Sequence, residues 1–376
     1  MGWLIAIPGI CMLIYSAFIW RNAYFFAKIP AETLRSDEWL PKVSVIIPAR
    51  NEERRLPTLL NAVVNQNYPS DRLEILVVDD QSEDATSGIA KLMSTKHPNL
   101  RLIQILPEEG RSSKKNAITR GISFANGEII LQTDADCVMG PSWVRSMVAY
   151  FGANTAFVAG PVQLTYEYRM FEILQALELI GLTAIAGGSM AAGKPNMCNG
   201  ANLGYRKSVF KEVNGFEGID HVASGDDELL LQKIHRLGKY EIRYARHRKA
   251  IVRTGALDSW EGLKRQRIRW VSKARHYVDR KVNRIQMLSY LGFWSFPIGF
   301  LLGFWWPQAW VWTAGIALVK GLADYALMYQ SAKFFHKLHL LRHFALLQLV
   351  YVPYVIWIGI AGNFSKSYYW KGRKVQ

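Results

Sequence analysis

The stretch Leu131–Cys137, LQTDADC, lies where an apolar strand runs into two carboxylates. The run Gly127–Leu131 predicts a buried strand, and Asp134 and Asp136 follow it two residues apart, so both side chains point the same way on extended chain. Mg²⁺ or Mn²⁺ is usually held by one or two carboxylates together with substrate phosphates. We therefore predict a metal–diphosphate site here, with a solvated turn after a strand as the alternative.

Outward from this stretch, short apolar runs alternate with helical patterns. Strands are predicted at Val43–Ala49, Leu73–Asp80, Leu100–Leu106 and Gly127–Leu131, and helices at Glu52–Asn65, Thr86–Met93 and Ala117–Phe124. This order indicates an α/β fold with right-handed βαβ units, a mostly parallel sheet and helices on both faces. Ligands bind beyond the carboxyl ends of such strands, which is where the polar segments PARNEE, DDQSEDAT and TDADC lie.

Acidic and basic residues at these strand ends are candidates for substrate binding. Asp79 and Asp80 end the second strand; Asp80 could accept a hydrogen bond from a nucleotide base, while Ser82 and Asp84 could cap the next helix. Ser113, Lys114 and Lys115 lie before a predicted helix that opens at Asn116. Lysines at a helix N-terminus suit a phosphate, and a solvated lysine pair is the alternative.

Asp226 and Asp227 form a second carboxylate pair, and one of them is a candidate general base because attack by a hydroxyl requires removal of its proton. A neighbouring acid raises the pKa of one member of such a pair. Helix capping is the alternative, and it is expected for Asp226.

The segment QRIRW supplies the last group of candidates, Gln266, Arg267, Arg269 and Trp270. Its guanidinium groups offer forked donors to a diphosphate, and its indole ring offers a flat apolar face to a sugar. A surface turn of a helix is the alternative.

Composition indicates a membrane-associated protein. The chain has 376 residues, a formal net charge of +16, 50% apolar residues and 13 Trp. A basic surface suits nucleic acid, anionic lipid or phosphorylated substrates, but no nucleic-acid-binding motif is found, so lipid and phosphate are favoured over nucleic acid. Three scattered cysteines argue against a zinc site or a disulfide framework.

Apolar spans at both ends of the chain predict its domain organisation. We expect a transmembrane anchor at 1–28, a catalytic α/β domain at 42–258, an amphipathic interfacial helix region at 259–285, about three transmembrane helices within 286–364, and a basic tail at 365–376. The C-terminal spans are predicted at Met287–Trp306, Ala309–Tyr329 and Phe344–Asn363. Within the anchor, Arg21 and Lys28 follow the uncharged run of residues 2–20, so the catalytic domain is expected in the cytoplasm of a multi-pass protein of the cell (inner) membrane.

Charged residues occur within two of the apolar segments. The helix predicted at Phe171–Ala192 contains Glu172 and Glu178, which argue against a span and favour a helix packed under the site. Lys320 and Asp324 lie four residues apart in the second C-terminal span, on one face of the helix. Two interpretations stay open: an ion pair that stabilises the helices, and a part of the path taken by the acceptor.

An ordered set of segments resembles the membrane-bound family-2 glycosyltransferases, which include poly-N-acetylglucosamine, hyaluronan, chitin and cellulose synthases and ceramide glucosyltransferase. The set comprises PARNE (Pro48–Glu52), VDDQSEDAT (Val78–Thr86), SKKNAITRGI (Ser113–Ile122), DAD (Asp134–Asp136), NGANLGYRKSVF…NGF (Asn199–Phe216), GDDELLLQKIHRLG (Gly225–Gly238) and QRIRW (Gln266–Trp270). The family's usual GED or TED reads GDD here.

The resemblance implies a GT-A (Rossmann-like) fold and inverting transfer of a sugar from a nucleotide-diphosphate donor, usually a UDP-sugar, to a growing glycan at the membrane. Two alternatives stay open: a lipid glycosyltransferase that adds a single sugar to a membrane lipid, and a catalytically silent glycan-export partner.

The resemblance also implies individual roles. Ala49, Glu52 and Asp80 would hold the nucleotide base with Lys114 nearby; Asp134 would contact the donor sugar and diphosphate, and Asp136 would bind the metal. Asp227 would be the base, Arg269 would bind the diphosphate, and Trp270 would stack on the acceptor.

Overall fold

A computed structural model of the chain describes residues 2–31, 40–106, 113–165, 167–222, 224–273, 277, 279–364, 368–370 and 373–375. The chain divides into two compact units. The helical unit comprises Met1–Lys28, Glu167–Ala192 and Leu257–Tyr368, and the sheet unit comprises Ile29–Tyr166, Gly193–Ala256 and Tyr369–Gln376. Glu167–Ala192, which lies within residues 42–258, groups with the terminal helices in the helical unit.

The elements are numbered in chain order. The strands are β1 (Val43–Ala49), β2 (Leu73–Asp79), β3 (Leu100–Gln104), β4 (Ile129–Gln132), β5 (Val138–Met139), β6 (Thr155–Ala159), β7 (Val162–Thr165), β8 (Leu203–Arg206), β9 (Glu241–Tyr244), β10 (Val252–Gly255), β11 (Tyr368–Trp370) and β12 (Arg373–Val375). The α-helices are α1 (Gly2–Lys28), α2 (Leu56–Val64), α3 (Thr86–Lys96), α4 (Lys114–Phe124), α5 (Trp143–Val148), α6 (Met170–Ala191), α7 (Lys207–Glu212), α8 (Glu228–Arg236), α9 (Trp260–Ser272), α10 (Arg280–Phe293), α11 (Ser295–Leu302), α12 (Gln308–Phe335) and α13 (Phe344–Phe364).

The main sheet of the sheet unit has seven strands in the order β3-β2-β1-β4-β8-β6-β9. β1 pairs in parallel with β2 and β4, whereas β8 runs antiparallel to both of its neighbours. This confirms the predicted α/β fold with a mostly parallel sheet. The strand β1 is buried almost throughout, as expected for a β-branched run that is covered on both faces.

A smaller sheet of the order β5-β10-β7 lies in the same unit. β5 begins two residues after Asp136, and it pairs antiparallel with β10, so the segment that follows the two predicted site acids is itself held in a sheet. The acids are thus fixed from both sides, by β4 before them and by β5 after them.

In the helical unit, α1, α6 and α12 pack together. A Cβ atom on Gly188 of α6 would lie 2.3 Å from the carbonyl oxygen of Asn22 in α1, so only glycine allows this approach of the two backbones. The Ser331 hydroxyl of α12 donates a hydrogen bond to the Ile180 carbonyl oxygen of α6 at 2.9 Å.

Five helical segments of the described residues are long and apolar enough to cross a membrane, judged by length and composition. They are Leu4–Lys28, Met170–Ala191, Arg280–Leu302, Gln308–Phe335 and Leu338–Gly362. Four of them correspond to the spans expected from the sequence, and the fifth is α6, which was expected not to span.

The sheet connectivity bears on α6. Strand β8 follows α6 in the chain, yet it lies between β4 and β6, which both precede α6. A single membrane crossing by α6 would put β8 on the opposite side from its own sheet. This argues against α6 as a span, although its apolar composition alone would suggest one.

Candidate active site

Acids that are distant in sequence meet around one lysine at the carboxyl end of β4. Lys114, the first residue of α4, places its Nζ 2.7 Å from the Asp134 carboxylate and 3.1 Å from that of Asp226. The side chain of Gln132, the last residue of β4, donates to Asp226 at 2.9 Å. We call Lys114, Asp134, Asp226 and Asp227 the acid cluster.

Asp227 is held by two backbone amides. Its carboxylate accepts hydrogen bonds from the Gly200 N–H at 3.0 Å and from the Glu228 N–H at 2.7 Å, so Asp227 caps α8. The prediction that Asp226 is the capping residue is wrong, because the carboxylate of Asp226 pairs with Lys114 while that of Asp227 accepts from the helix.

Gly200 is a neighbour of the acid cluster that sequence reasoning did not single out. A Cβ atom at this position would lie 3.0 Å from Lys114 Nζ, 3.2 Å from Asp226 and 3.5 Å from Asp227. The signal in the sequence was a glycine in the middle of the polar segment NGAN. The close approach of three charged groups to bare backbone is what requires a small residue here.

The two acids that face Lys114 have opposite pKa shifts. Burial raises the pKa of Asp134, and the neighbouring Asp136 adds to this, although Lys114 opposes it. For Asp226, burial would also raise the pKa, but Lys114 and the hydrogen bond from Gln132 outweigh it and lower the pKa overall. The rise expected within the Asp226–Asp227 pair is therefore not found at Asp226.

The loops after β1 and β2 are joined by hydrogen bonds from Arg50. Its guanidinium donates to the carbonyl oxygens of Asp80 at 2.6 Å and Gln81 at 2.7 Å, and it pairs with Glu83 at 3.1 Å. Asn51 and Gln81 take left-handed conformations with φ of 51° and 57°. Arg50 was not predicted as a site residue, although it follows a predicted strand directly.

Further contacts between these two loops involve the predicted nucleotide-binding residues. The Glu52 N–H donates to Thr86 Oγ1 at 2.7 Å, and the Ser82 N–H donates to the Asp79 carboxylate at 3.2 Å. Asp84 accepts from the N–H of Thr86, the first residue of α3, at 2.9 Å, but the N-cap residue of α3 is Ala85, so neither Asp84 nor Ser82 occupies the cap position. The Ser82 hydroxyl instead accepts from the Asn51 N–H at 3.0 Å.

Ala49 lies in register with Asp79 at the ends of β1 and β2. Ala49, Glu52, Asp79 and Asp80 are therefore brought together at one sheet edge, and all four are buried. Strand β4, which leads to Asp134 and Asp136, is the other neighbour of β1.

The consecutive lysines of α4 have different partners. Lys115 is buried, and its ammonium donates to three backbone carbonyls, so it forms neither a phosphate site nor a solvated pair with Lys114. Lys114, in contrast, pairs with the carboxylates of Asp134 and Asp226.

Asp134 and Asp136 have a donor set that fits a divalent cation. The Asp136 carboxylate is about one-third exposed and lies 3.4 Å from Arg55 Nη1, a weak surface pair that a ligand can displace. Within the described residues, no group of three or more His, Cys, Asp or Glu side chains is arranged to hold a metal ion. Oxygen ligands from a substrate diphosphate are therefore needed to complete a Mg²⁺ or Mn²⁺ site.

The QRIRW residues lie in α9, in the helical unit. Arg267 is 7% exposed, pairs with Glu178 of α6, and lies 4.1 Å from the centre of the Trp270 ring. Gln266 contacts Arg267, and Gln266, Arg269 and Trp270 are half-buried. The ion pair of Arg267 with Glu178 stabilises the packing of α9 against α6. The roles expected of Gln266, Arg267, Arg269 and Trp270 in substrate binding remain predictions.

Comparisons with known proteins bear on the family and the fold of this chain. Residues 44–213 match the family model described as Glycosyl transferase family 2. The probable glycosyltransferase YdaM of Bacillus subtilis is 31% identical over 286 residues, which cover 72% of this chain and 64% of that protein. The poly-beta-1,6-N-acetyl-D-glucosamine synthase of Staphylococcus epidermidis is 26% identical over 231 residues, 61% of this chain and 53% of that protein. The chain thus spans between half and two thirds of the length of these curated relatives.

Among solved structures, the mannosyltransferase PcManGT from Pyrobaculum calidifontis, in complex with GDP-Man and Mn²⁺, matches with a TM-score of 0.61. The match covers 96% of this chain and 99% of that chain at 19% identity, so it supports the fold alone. The family match runs from β1 through α7, so residues 44–213 form a glycosyltransferase family 2 domain, and the sheet unit that contains them has the GT-A fold.

Proposed function

We propose that the chain transfers a sugar, with inversion, from a nucleoside-diphosphate donor to a growing glycan at a membrane. The observation that carries this proposal is the acid cluster, in which Lys114 lies 2.7 Å from Asp134 and 3.1 Å from Asp226, with Asp227 beside them. A partly open group of acids at the carboxyl edge of a parallel sheet suits a reaction that needs both a cation and a base.

The proposed donor site lies at the loops after β1 and β2. Ala49, Glu52, Asp79 and Asp80 would contact the nucleotide base there, with Lys114 nearby. The hydrogen bonds of Arg50 hold these loops before any ligand arrives, so little ordering cost is left for binding. UDP is the proposed nucleotide because it is the usual one among the proteins that the sequence resembles.

Asp136, together with Asp134, would hold Mg²⁺ or Mn²⁺ beside the diphosphate. Bound there, the ion supplies positive charge next to the leaving diphosphate. The related fold of the mannosyltransferase PcManGT carries Mn²⁺ with its GDP-Man, which is consistent with this assignment. Arg269 is proposed as a second cation for the same diphosphate.

Asp227 is the proposed general base. The acceptor hydroxyl oxygen attacks the anomeric carbon on the face opposite the diphosphate and gives its proton to the Asp227 carboxylate. The bond from the anomeric carbon to the diphosphate oxygen breaks, and the nucleoside diphosphate leaves with those electrons. The amides of Gly200 and Glu228 fix the direction of the carboxylate, while Trp270 is proposed to stack on the acceptor.

The four candidate spans other than α6 support a multi-pass membrane protein. The basic residues Arg21 and Lys28, which lie in the last third of the first span, favour a cytoplasmic sheet unit. The helix α9 combines basic residues with Trp260, whose ring lies 5.5 Å from that of Trp357, and this composition suits the headgroup layer of membrane lipids.

A second candidate function, the addition of one sugar to a membrane lipid, is favoured by a groove in the helical unit. The groove has a volume of about 720 Å³ and is lined mainly by apolar side chains, among them Trp294, Phe300, Val352 and Ile360, with Lys320 and Gln348 as polar lining. Its size and lining suit a hydrocarbon chain.

The test is a donor screen in membranes that contain the full chain, with nucleotide release and product mass as readouts. A ladder of products supports the glycan acceptor, and a single shifted glycolipid supports the lipid acceptor. Absence of nucleotide release with every donor would overturn the proposal and favour the catalytically silent export partner.

A further inference from the structure

The ammonium group of Lys115 holds the loop that leads to the second acid pair. Lys115 is 4% exposed, and its Nζ donates to the carbonyl oxygens of Ile219 at 2.6 Å, Val222 at 2.6 Å and Ser224 at 3.0 Å. A lysine ammonium carries three N–H donors, and each of these three carbonyl oxygens lies within hydrogen-bond distance of it. The three acceptors come from the loop between α7 and α8, which ends at Asp226 and Asp227.

Lys114 and Lys115 are consecutive residues in the first turn of α4, and they contact different parts of the same loop. Lys114 faces the carboxylates of Asp134 and Asp226, whereas Lys115 faces the backbone that precedes Asp226. Only Gly225 separates the last carbonyl bound by Lys115 from the acid pair. A shift of the Ser224 carbonyl is therefore passed to Asp226 and Asp227 with little chain in between to absorb it.

We propose that Lys115 is a positioning residue of the transferase, which sets the places of Asp226 and Asp227 through this loop. The proposal rests on the proposed function of the acid cluster. Buried carbonyl groups that converge on one point repel each other unless a donor lies between them, and removal of the donor leaves them unsatisfied. The loop would then move to reach water, and the carboxylate of Asp227 would move with it.

The same loop contains a matched control. Lys233 of α8 donates to the carbonyl oxygens of Gly215 at 2.7 Å and Glu217 at 2.8 Å. These contacts have the same chemistry, amine to backbone carbonyl, but they lie at the beginning of the loop, away from the acid pair. Lys233 is also less buried than Lys115. If the loop is weakened in general, kcat should fall in both Lys115→Met and Lys233→Met. If Lys115 positions the acid pair, kcat should fall only in Lys115→Met.

The experiment compares Lys115→Met with Lys233→Met in the full chain, in membranes and in detergent. We expect Lys115→Met to lower kcat about 30-fold while the KM for the donor stays within about threefold, because misplacing a catalytic group by a fraction of an ångström is enough for such a loss. For Lys233→Met we expect kcat within about twofold of the wild type, even where the thermal midpoint falls.

Three results would overturn the proposal. They are an unchanged kcat in Lys115→Met, an equal loss of kcat in both variants, and a loss of Lys115→Met activity that appears entirely in the donor KM. Should Lys115→Met fail to fold, Lys115→Gln, which keeps two N–H donors, replaces it under the same criteria. If Lys115→Gln also fails to fold, Lys115 is a folding residue and the positioning role is rejected.

The wild-type chain separates this proposal from the proposed function. Wild-type turnover with an unaffected Lys115→Met variant rejects only the role of Lys115. Absence of wild-type turnover with every donor rejects sugar transfer itself.

Discussion

Each unit of the chain contains a lysine that pairs with at least one carboxylate, but the two clusters differ in exposure and in charge balance. In the sheet unit, the side chain of Lys114 is 20% exposed, and those of its partners Asp134 and Asp226 are 35% and 10% exposed. In the helical unit, Lys320 and Asp324 lie 2.7 Å apart with side chains that are 2% and 9% exposed. The first cluster is therefore open to a ligand, whereas the pair of Lys320 and Asp324 is almost fully buried and only Lys320 reaches the lining of the apolar groove.

The open cluster also has an excess of negative charge, whereas the buried pair is balanced. Lys114 has three carboxylates around it, whereas Lys320 has Asp324 and the neutral side chain of Gln348. Tyr15 and Gln348 also donate to Asp324, at 2.9 Å and 3.1 Å. A closed pair that is satisfied by protein groups indicates a contact that stabilises packed helices. An open group with an excess of acids indicates a site that a cation and an anionic ligand complete.

The strongest test of this difference is Asp227→Asn. We expect kcat to fall about 1000-fold, because the general base is lost, while donor binding changes by less than about twofold. Asparagine is also a good N-cap residue, so α8 should keep its start and the thermal midpoint should change little. Nucleotide release and calorimetric binding of the nucleoside diphosphate provide the two measurements.

The matched control is Asp324→Asn in the helical unit, the same chemical change in a closed pair. Its transfer rate per folded molecule should match the wild type. Asp227 would lose its role as the base if its variant kept wild-type turnover, and Asp324 would be drawn into the acceptor path if its variant lost turnover.

The same Asp324→Asn variant should show its effect on stability. Lys320 is left buried without its carboxylate, which is expected to cost about 3 kcal/mol and to lower the thermal midpoint in detergent. Replacing both members, as in Lys320→Met with Asp324→Leu, should recover most of this loss because no buried charge remains. A double variant that is less stable than Asp324→Asn would show that the pair contributes more than charge compensation.

Removal of divalent cations should distinguish the clusters again. We expect EDTA to lower transfer about 100-fold and Mn²⁺ or Mg²⁺ to restore it, since a fixed positive charge beside the leaving diphosphate is a large part of such catalysis. The thermal midpoint should not change, because the described residues hold no group of three or more metal-binding side chains. An Asp136→Ala variant should need more metal for half-maximal rate.

Full turnover in excess EDTA would mean that the two acids after β4 serve the donor without a cation. In that case Arg269 would have to supply the positive charge for the diphosphate, and Arg269→Met would be the more damaging variant.

The sequence predicted the parts of the fold that depend on local pattern. The run VSVIIPA gave β1 as observed, Val43–Ala49, because a β-branched run that is buried on both faces ends abruptly at a polar loop. Strands β2 and β3 end one and two residues earlier than predicted, at Asp79 and Gln104. Strand ends depend on hydrogen bonds to a neighbouring strand, which one segment of sequence does not contain.

Features that depend on distant contacts or on backbone direction were not predictable in this way. The sequence predicted Asp226 as the cap of α8, but the cap is Asp227, and two adjacent aspartates carry no local signal that distinguishes them. The partners of Lys115 lie more than 100 positions away, and they are backbone atoms that carry no residue-specific signal. Arg50 was missed for the same reason, since two of its acceptors are carbonyl oxygens.

The smallest expected effect comes from Gly200→Ala, which tests how closely the acid cluster is packed. The added methyl would lie 3.0 Å from Lys114 Nζ and 3.2 Å from Asp226, so these side chains must move apart by a few tenths of an ångström. We expect kcat to fall about tenfold, equivalent to about 1.4 kcal/mol. Gly88→Ala in α3 is the control, because its methyl would have nothing within 4 Å and alanine favours a helix. If Gly200→Ala keeps wild-type turnover, the acid cluster tolerates displacement, and the contact of Lys114 with Asp226 is then a support of the fold like the pair of Lys320 with Asp324.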